Sequence, residues 1–331
     1  MPRHSWYRQQ WRPEEWKLQY IYTNLNLTGG EAKSNLAYTI EGRYIFNNVT
    51  LCGPRSDRRS VDVLFVVHTA PNNFYRRIRL RRTVLNVSRF RPFEIRTVFL
   101  LGRCSSPTLQ KELEEEHGHF GDTVQADFID SYENLSLKGV LGLNWVTHHC
   151  PQVRFVFKMD DDVFVDTSKL LHRYWPLFVG KTRTMVCNVW PNGSIPISRE
   201  GKWKVDNSLF PHMDFFPFHY CSGLVVLMTG DLIPFLYQAT MFTPVFWIDD
   251  IFLFGILPWV SGNVTMYNFG AKKYLVFYAP IMVECLKKSG FDCRLLAAHA
   301  TMPVDMFDEM WNLTLTVHDL QAQAIDVHRI A

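Results

Sequence analysis

The 331-residue sequence has no large excess of charge of either sign. Its 35 Lys and Arg residues face 32 Asp and Glu residues, which gives a formal net charge of only +3. A protein that binds nucleic acid usually carries a clear basic excess, so the composition argues against nucleic acid as a partner. Hydrophobic residues make up 47% of the chain and charged residues 20%, which excludes a disordered chain. The composition is that of a folded enzyme or binding domain with a large core.

The sequence also lacks a long apolar segment near its beginning. Residues 1–22 are polar, basic and aromatic, and they contain neither the apolar core of a signal peptide nor a membrane span. The longest uncharged run, 251–271, would be long enough for a membrane helix, but it contains proline, glycine and asparagine. We interpret this run as buried core.

Glycosylation sequons are more frequent than chance predicts. The pattern Asn-x-Ser/Thr occurs seven times, against roughly two expected by chance for this composition. The asparagines are Asn26, Asn48, Asn86, Asn134, Asn192, Asn263 and Asn312. This excess predicts a protein of the secretory pathway. Either the chain lacks its natural start upstream of Met1 or the sequon count is misleading, and we favour the missing start.

The cysteines point to the same compartment. None of the seven forms a C-x-x-C pair, which argues against a zinc ribbon or a thioredoxin motif. In an oxidising lumen they would form disulfides and leave one thiol over. Cys285 and Cys293 are only eight residues apart and are the first choice for a local bridge.

Short apolar runs alternate with charged, helix-compatible stretches after residue 60. We predict strands at 61–67, 97–101, 154–159 and 224–228, and helices at 75–86, 109–117 and 134–149. This alternation predicts an α/β fold with a mostly parallel central sheet flanked by helices. We expect one catalytic domain over residues 61–331, preceded by a stem-like segment over residues 1–60.

Three consecutive acids follow the third predicted strand. Asp160, Asp161 and Asp162 lie between an apolar strand and the apolar residues 163–165. In open α/β sheets ligands bind beyond the carboxyl ends of the strands, and carboxylate oxygens suit Mg²⁺ or Mn²⁺. Adjacent acids repel one another, so a cation and its bound phosphates would stabilise them. The alternative is a solvated acidic turn.

A second acid pair lies in an apolar setting. Asp249 and Asp250 separate the runs 244–248 and 251–255. Such neighbours should raise the pKa of at least one carboxyl group toward the range of a general base. The alternative is an Asp that caps a buried helix.

Basic residues follow the first strand. Arg77, Arg81 and Arg82 could bind a diphosphate through charge-assisted hydrogen bonds. The alternative is the charged surface of a helix.

Several motifs in a fixed order resemble a known family. The block R-x-x-I-R-x-T resembles residues 77–83, the block D-F-x-D-x-Y-x-N-L-T-L-K resembles residues 127–138, the D-x-D block resembles residues 158–165, and the E-D-V motif resembles residues 247–251. The chain is similar in these positions to the inverting β-1,3-galactosyltransferases and β-1,3-N-acetylglucosaminyltransferases. The similarity runs over about three quarters of the sequence.

The resemblance implies a GT-A glycosyltransferase fold and a UDP-sugar donor. It implies that Asp160, Asp162 and His299 hold Mn²⁺, with Mg²⁺ as the alternative ion, and that Asp250 is the catalytic base. The expected reaction is transfer of a hexose to a glycan acceptor hydroxyl on a glycoprotein or glycolipid, in the Golgi lumen, with formation of a β-1,3 linkage. Overall similarity favours galactose as the sugar over N-acetylglucosamine.

The resemblance also implies a set of donor-binding residues, which are Arg77, Arg81, Lys138, Asp161 and Asp249. Two rival functions remain open. A metal-dependent phosphohydrolase would use the same acid clusters, and a non-catalytic lectin-like module would bind sugar without needing Asp250.

The sequence departs from the family pattern at a few positions. Val84 stands where a Trp usually follows the arginine block, and Asp166 stands where an Asn follows the D-x-D strand. Both exchanges could alter the donor pocket. Asp122 and Trp203 are expected near the site, with no role assigned.

Overall fold

The central sheet is built from hydrophobic runs that are covered on both faces. The computed structural model describes residues 14–24, 44–53, 61–270 and 274–330. Within them, eight strands form one sheet in the order β1-β4-β3-β2-β5-β10-β7-β11. The strands are β1 Tyr44–Phe46, β2 Val63–His68, β3 Ile95–Arg103, β4 Thr123–Ile129, β5 Phe155–Asp160, β6 Val163–Val165, β7 Thr184–Cys187, β8 Val189–Trp190, β9 Tyr220–Cys221, β10 Val225–Thr229, β11 Thr265–Asn268, β12 Leu275–Val276 and β13 Ala297–His299.

Strands β4, β3, β2 and β5 are parallel, and β7 and β11 are also parallel to each other. Strand β10 is antiparallel to β5 and β7, and β1 is antiparallel to β4. All six residues of the central strand β2 are buried, as a parallel strand with helices on both faces requires. The predicted α/β class with a mostly parallel sheet is confirmed.

Helices cover the two faces of this sheet. They are α1 Glu15–Asn24, α2 Phe74–Arg82, α3 Pro107–Phe120, α4 Leu135–His149, α5 Thr167–Lys169, α6 Ile233–Thr240, α7 Asp249–Ile251, α8 Leu257–Ser261, α9 Ala279–Ser289 and α10 Phe307–Ile330. Helix α4 packs with α6 over one face, and α9 packs with α10. A π-helical turn, Phe252–Ile256, joins α7 to α8 and is completely buried. The prediction that the uncharged run 251–271 is buried core is confirmed for residues 252–256.

Helix start signals in the sequence have clear structural counterparts. Ser106 caps α3 by accepting a hydrogen bond from the Leu109 backbone N–H, and Pro107 occupies the first turn. Helix α3 ends at Gly121, whose φ of 64° lies in the left-handed region that glycine adopts at low energetic cost. These signals confirm the predicted helix over 109–117 and lengthen it at both ends.

Three disulfides connect the described parts of the chain. Cys52 is bonded to Cys150, Cys187 to Cys221, and Cys285 to Cys293, while Cys104 remains a free thiol. The predicted local bridge between Cys285 and Cys293 is therefore confirmed, together with the single thiol left over. The bridge between Cys52 and Cys150 spans 98 residues and ties residues 44–53 to the end of α4.

The described residues before position 60 pack against the main domain. Ile21 of α1 is buried, and Trp16 meets Trp259 edge to face with ring centroids 5.5 Å apart. Strand β1 extends the central sheet. The proposed domain boundary at residue 60 stays a prediction, as does the stem-like role of the residues before it.

No helix within the described ranges combines the length and the apolar character that crossing a bilayer requires. Six of the seven sequon asparagines lie in those ranges, and none of the six is buried; Asn26 lies outside them.

Candidate active site

The carboxyl ends of β2 and β5 meet at one edge of the sheet. His68, the last residue of β2, is paired in parallel register with Asp160, the last residue of β5. The backbone N–H of Asp161 donates to the carbonyl oxygen of His68 at 3.0 Å. The acid triplet therefore lies where open α/β sheets bind their ligands. This position argues against a freely solvated acidic turn.

Asp161 is buried and bonded within the protein. Its carboxylate accepts hydrogen bonds from Thr69 Oγ1 at 2.6 Å, Asn73 Nδ2 at 2.8 Å and Arg76 Nη1 at 2.8 Å. Both carboxylate oxygens are thus satisfied by the β2–α2 loop and by α2. These bonds position the triplet against α2, and a direct contact of Asp161 with a cofactor stays a prediction.

Asp162 lies between an arginine and a histidine. Its Oδ2 is 3.2 Å from Arg76 Nη1 and 3.7 Å from His299 Nε2. His299 reaches this position because β13 pairs antiparallel with β6, which places His299 opposite Val163. The backbone N–H of Ala300 adds a 2.8 Å hydrogen bond to the Asp162 carbonyl oxygen. The small sheet formed by β12, β13 and β6 thus brings His299 to the triplet.

Asp160 is paired with a buried lysine. Lys158 Nζ donates to Asp160 Oδ1 at 2.7 Å and to the carbonyl oxygen of Gly223 at 2.6 Å. Loss of solvation raises the pKa of Asp160 to about 6, although the attraction of Lys158 opposes this rise. The negative charge of Asp160 is therefore only partly compensated by protein groups.

The acid pair lies at the start of a helix but does not cap it. Helix α7 begins at Asp249, its N-cap residue is Ile248, and no side chain makes a capping hydrogen bond there. This geometry rules out the helix-cap interpretation for Asp249 and Asp250. Their negative charges are nevertheless favourable in the first turn of the helix, where backbone N–H groups point outward.

Asp250 has the proton affinity expected of a general base. Loss of solvation raises its pKa to about 7, the Asp249 carboxylate adds to the rise, and Lys158 and the Gly223 backbone oppose it. A carboxyl group with a pKa near neutrality is ionised in much of the population at working pH, yet it is basic enough to accept a proton. The pKa and the position of Asp250 therefore suit proton abstraction from a hydroxyl group.

The backbone at Gly223 lies directly against the Asp250 carboxylate. A Cβ atom added to Gly223 would lie 1.9 Å from Asp250 Oδ1, far inside the van der Waals distance. Glycine is needed here for this close approach and not for an unusual backbone conformation. Gly223 also receives the Lys158 hydrogen bond through its carbonyl oxygen, so one residue contacts both Asp250 and Lys158.

Two of the predicted donor-binding arginines are engaged elsewhere in the protein. Arg77 is fully buried, and its Nη2 lies 2.6 Å from Glu116 Oε2. Arg81 pairs with Asp122 at 2.7 Å and also with Glu116 at 2.7 Å. These ion pairs hold α2 against α3, and contact of either guanidinium with a diphosphate stays a prediction. The structure places Asp122 in this network.

Lys138 is buried close to the ligand-binding edge. Its Nζ donates to the Thr69 carbonyl oxygen at 2.5 Å and to Asp130 Oδ1 at 2.9 Å. Burial lowers the pKa of Lys138, and Asp130 opposes that shift. Lys138 thus supports the loop whose Thr69 hydroxyl binds Asp161, and its contact with a donor stays a prediction.

Arg76 is a site residue that the sequence pattern did not single out. It is the arginine that contacts both Asp161 and Asp162, whereas its neighbour Arg77 is buried in an ion pair. One signal could have identified it: Asn73 and Arg76 are three residues apart at the start of a helix, so their side chains lie on the same face.

The two departures that could alter the donor pocket, Asp166 and Val84, have structural roles beside β6. Asp166 is buried, accepts the Lys169 backbone N–H at 2.9 Å as the cap of α5, and lies 3.0 Å from His318 Nε2. Val84 is buried, and its carbonyl oxygen accepts the Thr167 hydroxyl at 2.6 Å. An effect of either residue on a donor pocket stays a prediction.

The described part of the chain holds no group of three or more His, Cys, Asp or Glu side chains arranged to bind a metal ion on their own. Asp162 and His299 do converge, and the chemistry of an oxygen and an imidazole nitrogen suits Mn²⁺. Mg²⁺-type sites often use one or two carboxylates together with substrate phosphates and water. The residues present therefore fit an ion that arrives with a phosphorylated substrate.

Sequence comparison relates the chain to known glycosyltransferases. The sequence profile of the galactosyltransferase family matches residues 75–261, which include both acid clusters. Mouse β-1,3-galactosyltransferase 1 is 24% identical over 315 residues, which cover 91% of this chain and 92% of that protein. β-1,3-Galactosyltransferase 5 of Pan paniscus is 31% identical over 194 residues, 58% of this chain and 62% of that protein.

Among solved structures, the galactosyltransferase LgtC matches 76% of this chain and 95% of its own, with 13% identity and a TM-score of 0.39. The family assignment comes from the sequence comparisons, because the profile spans more than half of the chain. On the strength of this profile and of the similarity to β-1,3-galactosyltransferases, this chain belongs to the galactosyltransferase family and is a hexosyltransferase.

Proposed function

We propose that this chain is an inverting β-1,3-galactosyltransferase of the GT-A type. It would move galactose from UDP-galactose to a hydroxyl group of a glycan on a glycoprotein or glycolipid. The observation that carries the proposal is the single charge cluster formed by Asp160, Lys158 and Asp250, which includes a carboxyl group with a pKa of about 7. The cluster supports the proposal because Asp250, as the proposed base, would lie next to the edge of the sheet where a nucleotide diphosphate would bind.

The proposed reaction is one displacement. The Asp250 carboxylate takes the proton of the acceptor hydroxyl while that oxygen forms a bond to the anomeric carbon of galactose. The bond between that carbon and the β-phosphate oxygen breaks, and its electron pair leaves with UDP. Attack from the face opposite to UDP converts an α-linked donor sugar into a β-linked product.

We further propose that Asp160, Asp162 and His299 hold Mn²⁺ when the donor is bound. Such an ion supplies positive charge next to the diphosphate, where negative charge increases as UDP leaves. Arg76, which touches Asp161 and Asp162, would add a second positive charge at the same place.

Features that are typical of proteins in the secretory pathway support the same proposal. Three disulfides are typical of an oxidising compartment such as that pathway provides, and six described sequon asparagines are accessible to some degree. We propose the Golgi lumen as the place of action.

A donor screen tests the proposed sugar. We expect UDP release to be fastest with UDP-galactose when UDP-galactose, UDP-N-acetylglucosamine and UDP-N-acetylgalactosamine are compared. The acceptors are the methyl β-glycosides of galactose, N-acetylglucosamine and N-acetylgalactosamine. UDP release without an acceptor should be slow. Preference for UDP-N-acetylglucosamine would support the alternative transferase, and rapid hydrolysis of p-nitrophenyl phosphate would support a phosphohydrolase instead.

Removal of divalent ions tests the proposed metal site. We expect EDTA to lower the transfer rate by about tenfold or more and Mn²⁺ added in excess to restore it, because the acids at 160–162 need positive charge beside a diphosphate. The measurement is UDP formation from UDP-galactose in EDTA-treated enzyme. Mn²⁺ is added first, and Zn²⁺-free Mg²⁺ is tested as the alternative ion. Full activity in the chelator would contradict the metal assignment.

A further inference from the structure

The chain between β13 and α10 is a short loop that lies against the acid triplet. The backbone N–H of Ala300 donates to the Asp162 carbonyl oxygen at 2.8 Å, and the N–H of Met306 donates to the Ala300 carbonyl oxygen at 3.0 Å. The loop 300–306 therefore turns back on its own first residue, beside an acid that is assigned to the metal. Its last residue leads directly into α10.

One residue of this loop contacts the imidazole ring of His299. Thr301 Oγ1 lies 3.4 Å from His299 Nδ1, while His299 Nε2 lies 3.7 Å from Asp162 Oδ2. A histidine that binds a metal through one ring nitrogen usually has the other nitrogen bonded to a neighbouring group, which fixes the orientation of the ring. Thr301 is such a neighbour, so the orientation of His299 depends on the position of the loop.

An ion pair connects the other end of the loop to helix α2. Arg79 Nη1 lies 2.8 Å from Asp305 Oδ2, and Asp305 Oδ1 accepts the backbone N–H of Phe307 at 3.1 Å. Partial burial would raise the pKa of Asp305, but the bonds from Arg79 and from the Phe307 N–H lower it. Asp305 is therefore ionised at neutral pH, and its two oxygens connect α2 to the start of α10.

The guanidinium group of Arg79 is held inside the protein. The side chain is only 6% exposed, and the guanidinium carbon lies 4.3 Å from the centroid of the Phe307 ring. Among the described residues, its Nε and Nη2 atoms are buried without a hydrogen-bond partner. Asp305 is thus the acid that compensates this buried charge, and a diphosphate could reach Arg79 only if the ion pair opened.

Helix α2 contacts the proposed metal site from two directions. Arg76 and Arg79 are three residues apart, so their side chains lie on the same face of the helix. Arg76 contacts Asp162, whereas Arg79 binds the loop that follows His299. The positive charge of Arg76 also lowers the pKa of Asp305, which indicates that the two contacts are close together.

We infer that Arg79 is a positioning residue for the metal site, because through Asp305 it holds the loop that orients His299 toward Asp162. This inference rests on the proposed binding of Mn²⁺ by His299 and Asp162. Arg79 stands at a variable position of the R-x-x-I-R-x-T block, so the resemblance assigns it no role. Since the buried guanidinium acts through the loop, its loss should weaken metal binding and leave direct contacts with the donor unchanged.

Arg79→Met tests the inference, because methionine fills similar space without the charge. We expect the dissociation constant of Mn²⁺, measured by EPR in the presence of UDP, to rise by roughly tenfold, as is typical when a group that supports a metal ligand is lost. Arg79→Lys keeps a positive charge beside Asp305 and should recover part of this affinity. Binding of UDP in EDTA should be unchanged, because the buried guanidinium does not contact the donor.

Arg89→Met is the matched control. The Arg89 guanidinium also lies against α10, 5.4 Å from the centroid of the Trp311 ring, but this contact lies beyond the loop, so the Mn²⁺ affinity should be that of wild type. Asp305→Asn removes the same ion pair from its exposed side and replaces Arg79→Met in the test if that variant does not fold.

Unchanged Mn²⁺ affinity in the folded variant would overturn the inference. Weaker binding of UDP in EDTA would also overturn it and assign Arg79 to the donor. If wild type binds no Mn²⁺ with UDP, the metal assignment itself fails, and a crystal structure of metal-free Arg79→Met decides the positioning role. The separation of His299 Nε2 and Asp162 Oδ2 should then exceed the 3.7 Å of wild type, and an unchanged separation would refute the role of Arg79.

Discussion

Replacement of Asp250 by Asn is expected to lower the transfer rate by about 10²–10⁴. The substitution keeps the size of the side chain and most of its hydrogen bonding, but it removes the group that accepts the proton. The UDP-galactose affinity should change much less, because the proposed donor contacts come from the triplet and His299. The measurement is a comparison of kcat for transfer with the dissociation constant of UDP in the two proteins.

Asp162→Asn is the matched control for this result. It makes the same chemical change at a residue assigned to the metal, so it should weaken Mn²⁺-dependent donor binding itself. Near-normal turnover in the Asp250 variant would move the base to another residue, with Asp249 first in line. Absence of turnover in wild type and variant alike would support a lectin-like module.

The pH dependence of the transfer rate and of stability tests the ionisation of Asp250 independently. Because the pKa of Asp250 is raised to about 7, kcat/KM of wild type should fall as the pH drops below about 7. The folded protein holds this proton more tightly than the unfolded chain does. The associated stability is therefore present below the ordinary pKa of 3.8 and is lost as the pH rises through about 7.

Asp250→Asn removes this ionisation. The Tm of the variant relative to that of wild type should therefore be higher at pH 8 than at pH 5. A variant that is less stable than wild type by the same amount at both values would indicate that Asp250 mainly supports the structure.

The sheet could be predicted from sequence because burial on both faces leaves a strong signal. Strands β2, β3 and β5 are built around short apolar runs, and each is found within a few residues of its predicted place. Strand β1 and the small sheet that holds β13 were not predicted, because strands of two or three residues with little apolar alternation leave no such signal.

Individual roles of charged residues were harder to predict than the clusters themselves. The sequence shows several arginines in α2 but not which of them faces the sheet edge. Burial of Arg77 against Glu116 depends on the packing of α3, and contact of Arg76 with Asp161 depends on the β2–α2 loop. Which arginine faces the sheet edge is therefore decided by tertiary contacts, which the local sequence pattern does not show.

Lys158 illustrates the same limit at the base. It lies within the otherwise apolar strand β5 and shows no special spacing, yet its ammonium group joins Asp160 to Gly223 and lies close enough to lower the pKa of Asp250. The proton affinity of Asp250, which lies in α7, therefore depends on a residue of strand β5.

Gly223→Ala is expected to reduce the transfer rate by about 10² or more without removing any charged or polar side chain. The added Cβ would lie 1.9 Å from Asp250 Oδ1 and 3.4 Å from Lys158 Nζ, so the carboxylate has to move away from its present position. Displacement of a reacting group by about 1 Å can lower a rate by 10²-fold. The measurement is kcat for transfer, with the UDP dissociation constant and Tm recorded on the same preparation.

Gly118→Ala is the matched control for this substitution. Gly118 lies in α3, and a Cβ there would meet no atom within 4 Å. Alanine in a helix is more stable than glycine by about 0.5–1 kcal/mol, so this variant should keep full activity and gain slightly in Tm. If Gly223→Ala keeps its UDP affinity and Tm but loses transfer, the position of the Asp250 carboxylate decides the rate. If it transfers galactose at the wild-type rate, that carboxylate tolerates displacement, and its assignment as the base loses its geometric support.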